Sequence, residues 1–137
     1  MEAGRDRGNF YAPTILTEVD RNMRVVKEEI FGPVLTVQVF EGEEEAVRMA
    51  NDTVYGLAGG VFTRDMAKGM RVLRRLRAGI TWLNTFHLAF NEAPWGGYKQ
   101  SGTGRELGTY GLEAYMEVKQ MNLNTQMQKL GWFKLGA

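Results

Sequence analysis

The chain has 137 residues, with 17 lysines and arginines against 16 aspartates and glutamates, so it has the length of one domain and no overall field to draw nucleic acid, an anionic membrane or an acidic partner. It contains no cysteine, which excludes disulfides, thiolate metal ligands and a thiol nucleophile together. The opening "MEAGRDRGNF" is charged from its second residue and no apolar run approaches the ~20 residues of a membrane span, so a soluble, cytoplasmic chain is expected.

"APTIL" (Ala12 to Leu16) reads as a short extended segment, with Pro13 at its start where a missing N–H is tolerated. In "VLTVQVF", Leu35, Val37 and Val39 alternate with Thr36 and Gln38, which predicts a strand with one face more buried than the other. "EGEEEAVRMAND" then takes helical spacing, with glutamates at the positive end of the dipole and Ala46, Val47 and Ala50 on one face. "LAGGVFT" predicts a second strand whose Gly59 and Gly60 mark a close backbone approach. From Asp65 to Arg77 a helix is predicted with Met66, Met70, Leu73 and Leu76 inward, Thr63 or Asp65 as cap, and Arg74, Arg75 and Arg77 at the end that favours cations. "ITWLN" (Ile80 to Asn84) is a third strand. This alternation predicts an α/β fold, a parallel βαβαβ sheet, with the glycine-rich stretch after it lying beyond a strand's carboxyl end, where ligands bind. "GLEAYMEV" predicts a short helix, and "MEVKQMNLNTQ" a late strand without a hairpin partner, which needs an edge on this chain or another.

The chemistry concentrates in "EAPWGGYKQSGTGRELG" (Glu92 to Gly108). Gly96 and Gly97 directly after Trp95 let the backbone turn sharply or approach a ligand, while Pro94 stiffens the entry. Trp95 is then either a ligand-facing indole, whose face would suit a quaternary ammonium, or a core plug beside a tight turn. The spacing of the glycines is neither the dinucleotide fingerprint nor a P-loop. Ser101 lacks the elbow of a hydrolase nucleophile, and His87, the single histidine, is too little for a metal site without cysteine. In "KEEIFGPV", Glu28 or Glu29 is able to accept two hydrogen bonds from a ribose diol with Phe31 beside the attached ring; the plain alternative is a solvated acidic pair. The arginines of "RVLRRLRAG" form a solvated face more simply than a nucleic-acid site, since no interleaved aromatic offers stacking.

Taken in order, "GNFYAPTIL", "KEEIFGPVLTV", "NDTVYGLAGGVFT", "RAGITWLNT", "PWGGYKQSGTGRELG" and "GLEAYMEVKQ" resemble the C-terminal part of NAD-dependent aldehyde dehydrogenases over nearly the whole chain. "NTFHLAFNEAPWGGYKQSG", with tryptophan after proline, is most similar to the betaine aldehyde group of that family. The resemblance implies a βαβαβ core from the catalytic domain. Residues 1–110 would be its partial catalytic domain and 111–137 a C-terminal helix, oligomerisation strand and tail. It further implies that Glu29 holds the nicotinamide ribose, Phe31 lies beside the nicotinamide, and Trp95, with Ala89 and His87, lines the aldehyde pocket. It implies a potassium ion on the carbonyls of Lys99 and Gly102, and a homo-oligomer joined through Glu117 to Asn124.

The family's nucleophilic cysteine, general-base glutamate and adenosine-binding half have no counterpart in this chain. Aldehyde oxidation by that route needs a thiolate to add to the carbonyl, hydride transfer and thioester hydrolysis. The isolated 137 residues are therefore expected to be inactive and prone to self-association. A non-catalytic binding or assembly module, pairing with a full-length dehydrogenase or itself, is the alternative from another class.

Overall fold

The computed structural model describes residues 8–126 and Gly131. Along them run β1 (Thr14–Leu16), α1 (Arg24–Lys27), β2 (Val34–Thr36), α2 (Glu43–Asn51), β3 (Ala58–Val61), α3 (Met66–Leu73), β4 (Ile80–Leu83), a 3-10 turn (Lys99–Ser101) and α4 (Gly108–Glu113). The class is α/β and the strands are parallel, with Thr14 opposite Val34 and Ala58 opposite Ile80. The single βαβαβ sheet is not what forms. The described strands make two separate pairs, β1–β2 and β3–β4, so the crossover through α2 joins two strands that share no ladder. Alternation along β2 shows that it pairs, but it carries no information about the partner, and β1 takes that edge through Thr14 N–H to Pro33 and Val37 N–H to Leu16 (both 2.9 Å).

The same segment has one face more covered than the other, as its period of two predicts. Leu35, Val37 and Val39 are on the exposed side, at 59, 42 and 89% of full exposure, while Val34, Thr36 and Gln38 are half-buried. The period of two is right and the apolar side faces out. Among the described residues, Val47 and Trp82 are the buried hydrophobic side chains, still 6 and 7% exposed, and Phe31, Phe62, Tyr115 and Val118 stand at 70% or more. A domain of this length ordinarily closes a larger core; here the apolar faces await a further layer.

Helix α3 is capped by Asp65, whose carboxylate accepts Lys68 N–H at 2.9 Å, while Thr63 Oγ1 accepts Asp65 N–H. It ends four residues earlier than the pattern predicts, and its covered side is Gly69, Val72 and Leu73, continued by Leu76 just beyond it, rather than Met66 and Met70, which are 58 and 43% exposed. Gly69 is buried because a Cβ there would come within 2.5 Å of Leu83 Cδ1 and 3.0 Å of Thr63 Cγ2, so the helix lies close on β4. Ion pairs link helix α2 to α3 and the residues just after it. Arg71 forks onto Glu43 (2.8 and 2.6 Å) and Arg75 onto Glu44, over an apolar groove of about 580 Å³ lined by Ala46, Ala50, Gly60, Val72 and Leu76. Two arginines of "RVLRRLRAG", Arg71 and Arg75, are thus matched by carboxylates within the chain.

The hydrogen bonds from Arg71 and Arg75 hold the Glu43 and Glu44 carboxyls below the usual glutamate range. A depressed folded-state value contributes stability that is present above the ordinary glutamate pKa and lost as pH falls through the depressed one. Acidification should therefore loosen α2 before β3–β4. Amide exchange followed from neutral to acid pH checks this, and equal protection losses in α2 and β4 would contradict it.

After β4 the chain reverses. Asn84 closes the ladder with reciprocal bonds to Thr63 (2.8 and 2.9 Å), and the glycine-rich segment then runs back toward the strands' beginnings, where Tyr98 N–H and Gly79 N–H both bond Gly56 C=O (2.8 and 3.0 Å). Its glycines therefore sit beside the residues entering β3 and β4, not beyond their carboxyl ends. A Cβ on Gly79 would fall 1.8 Å from Gly96 O, and one on Gly97 2.6 Å from Ser101 O. The bareness serves backbone packed on backbone. The predicted helix "GLEAYMEV" begins earlier, at Gly108, and stops at Glu113. Residues 117–124 form no ladder among the described residues, leaving Val118, Met121 and Leu123 exposed.

Candidate functional site

The return segment carries Trp95 past β4. Trp95 and Glu106 exchange backbone bonds of 2.7 and 2.8 Å, and the half-buried Trp95 ring lies 6.3 Å from Trp82 and 6.4 Å from His87, edge-on to the latter. Phe86 continues the row, 5.1 Å from Trp82 and 5.7 Å from His87. Trp82 Nε1–H donates to Leu88 C=O at 2.9 Å, and this bond fixes the exposed loop that carries His87 (φ 64°) and Ala89. Trp95 is thus part of an aromatic wall and not an isolated plug. Indole and phenyl faces present negative quadrupole to a cation.

Glu28 and Glu29, equivalent in the sequence, part company. Glu28 is forked onto Arg24 (2.7 and 2.8 Å), which lowers its pKa through that hydrogen bond. Both glutamates border a groove of about 470 Å³ with Tyr55, Gln100 and Ser101, but Glu29 has no ion-pair partner among the described residues. Of the two carboxylates, it is the one left to accept a diol. Phe31 is 98% exposed. A second concavity of about 750 Å³ contains Trp95, Gly102 and Arg105, and shares Leu57 and Ser101 with the Glu29 groove. Glu29 and Trp95 therefore border neighbouring hollows separated by one wall.

Lys99 and Gly102 close the two ends of the 3-10 turn. Gly102 borders the larger concavity, whereas the Lys99 ammonium bonds the carbonyls of Asn51 and Thr53, both at 2.9 Å. Carbonyl oxygens suit a hard cation such as potassium, but two of them are only part of a coordination shell. Ser101 Oγ accepts Gly56 N–H at 2.9 Å, so it serves as a fastening and not as a nucleophile.

Trp82, Phe86 and Arg105 are the site residues that sequence reasoning missed. Arg105 stacks on Tyr98 at 5.3 Å and donates to Gly97 and Gly104 C=O (2.9 and 2.7 Å), bracing the glycine-rich turn. The spacing Trp82, Phe86 could have flagged two aromatics near one strand end, but only the reversal after Asn84 brings Trp95 onto them.

Parallel strand pairs with helical crossovers, and a return segment that sets the Trp95 ring beside a concavity and against Trp82 and His87, define an α/β protein. The family model described as "Aldehyde dehydrogenase family" matches residues 1–121, and the chain belongs to that family of oxidoreductases. It is 56% identical over 126 residues to a betaine aldehyde dehydrogenase of Bacillus subtilis, covering 92% of this chain and 26% of that one. It is 48% identical over 128 residues to a peroxisomal aminoaldehyde dehydrogenase of Pisum sativum, covering 93% and 25%. A crystal structure of betaine aldehyde dehydrogenase from Staphylococcus aureus in complex with NAD+ superimposes with a TM-score of 0.86 at 54% identity, over 91% of this chain and 25% of that chain. The chain thus spans about a quarter of the length of the relatives it matches.

Proposed function

We propose that this chain supplies the aldehyde-facing and nicotinamide-facing wall of an NAD-dependent dehydrogenase that oxidises betaine aldehyde, or a related aminoaldehyde, to the acid. The observation that carries the reading is the row of Trp82, Phe86, His87 and Trp95, a surface suited to a trimethylammonium group. Its similarity to betaine and aminoaldehyde dehydrogenases supports the same substrate class. NAD+, when bound, accepts the hydride from the aldehyde carbon. Glu29 holds the nicotinamide ribose through its carboxylate, Phe31 covers the nicotinamide side, and Ala89 and His87 complete the pocket rim. The nucleophile and the general base come from polypeptide outside these residues, since a thiolate is required and none is present.

The carbonyls of Lys99 and Gly102 supply two oxygens of a potassium site completed by other segments. Residues 117–124, without a ladder among the described residues and apolar at Val118, Met121 and Leu123, join the sheet of a neighbouring subunit.

The test is kinetic, in the longest polypeptide that carries this segment. Trp95→Leu keeps apolar bulk and removes the π face, so KM for betaine aldehyde should rise roughly three- to thirtyfold. KM for the uncharged isostere, with carbon in place of the nitrogen, should stay within about twofold. Equal changes for both aldehydes would sink the cation-facing role. Glu29→Gln should raise KM for NAD+ while leaving that for the aldehyde nearly unchanged, and an unaltered cofactor KM would remove Glu29 from the ribose.

A further inference from the structure

Three elements meet at Asn51, the last residue of α2. Its side-chain amide donates to Arg75 C=O (2.9 Å) and accepts Arg77 N–H (2.7 Å), tying α2 to the end of α3. Its own carbonyl, with that of Thr53, receives the Lys99 ammonium, which thereby meets the negative end of the α2 dipole. Around it Tyr98 N–H bonds Gly56 C=O, Gln100 N–H bonds Val54 C=O and Ser101 Oγ accepts Gly56 N–H, so residues 98–101 are stitched onto 51–56. Lys99 has φ 53°, a conformation that side chains rarely adopt and keep only where the surroundings impose it. Trp95 is four residues upstream. Gly96 and Gly97 have no side chains to hold its indole, so its placement depends on anchors to either side: the Glu106 bridge and this stitched turn.

We propose that the Lys99 side chain is a positioning residue for the substrate pocket, clamping the return segment to the α2 terminus so that the Trp95 indole keeps its edge-on setting against His87. The role belongs to the ammonium and is separate from any use of the Lys99 carbonyl. It rests on Trp95 being the cation-facing wall of the aldehyde site.

In the longest polypeptide that carries the segment, Lys99→Met should raise KM for betaine aldehyde about three- to tenfold while kcat and KM for its carbon isostere stay within about twofold. In Lys99→Ala, added ethylammonium should restore part of the loss by returning a cation to the two carbonyls. The fluorine resonance of 5-fluorotryptophan at position 95, assigned with Trp95→Phe, should move in Lys99→Met and move back toward wild type in the rescued Lys99→Ala. An unmoved resonance with unchanged KM overturns the clamp, and so does a parallel loss of kcat and KM on both aldehydes without rescue. Should the wild-type protein oxidise neither aldehyde, the function proposed for Trp95 fails, and the fluorine shift alone decides whether Lys99 positions it.

Discussion

Gly79→Ala is expected to unseat the glycine-rich return segment. A Cβ at this position would lie 1.8 Å from Gly96 O, 2.8 Å from Gly96 C and 3.2 Å from Gly97 Cα, all backbone atoms that have no rotamer to escape into. Gly79 also bonds Gly56 C=O, the acceptor that holds Tyr98, so moving Gly79 away breaks the start of β4 and moving Gly96 away carries Trp95 off Trp82. The cost should reach about 3 kcal/mol, the upper end for forced overpacking. Gly104→Ala is the control, because nothing lies within 4 Å of its added Cβ. Urea unfolding of the longest polypeptide carrying the segment reads both. A Gly79→Ala midpoint equal to that of Gly104→Ala would show that the contact relaxes without consequence.

The second large effect is a complete one: the purified 137-residue chain should form no NADH from betaine aldehyde and NAD+. The chain holds no thiol to attack the carbonyl. The residues proposed to face the cofactor are also open to water, Glu29 exposed and Phe31 at 98%, so neither hydride transfer nor thioester hydrolysis would be shielded. With Val47 and Trp82 as the described buried hydrophobic side chains, and Leu35, Val39, Phe62 and Val118 outward, the isolated chain should also self-associate. Sedimentation over a range of concentrations checks this. NADH formation would overturn the catalytic prediction, and a concentration-independent monomer the second.

These outcomes follow from different levels of the protein. Local signals were sufficient for the helix over α2, with its first-turn glutamates, and for the Asp65 cap of α3, because spacing, charge and a capping side chain act within one or two turns. The parallel sense of the strands was equally legible, since short alternation of strand and helix leaves few other connections. The family was written in the order of the segments around Trp95 and Glu29, which the family match over residues 1–121 bears out.

What the sequence left undetermined depends on partners far along the chain. Alternation put Leu35, Val37 and Val39 on one face but could not say which face is covered, because burial is a property of the layer opposite. Glu28 differs from Glu29 through a local pair instead, since Arg24 lies four residues before it at helical spacing. The reversal after Asn84 brought Trp95 to Trp82 and His87, and set Gly79 against Gly96. Composition alone showed that these residues contain no thiol. The tertiary structure decided that the glycines make room for backbone and that the aromatic rings form one wall, because both facts are contacts between residues whose separation along the chain carries no signal of their meeting.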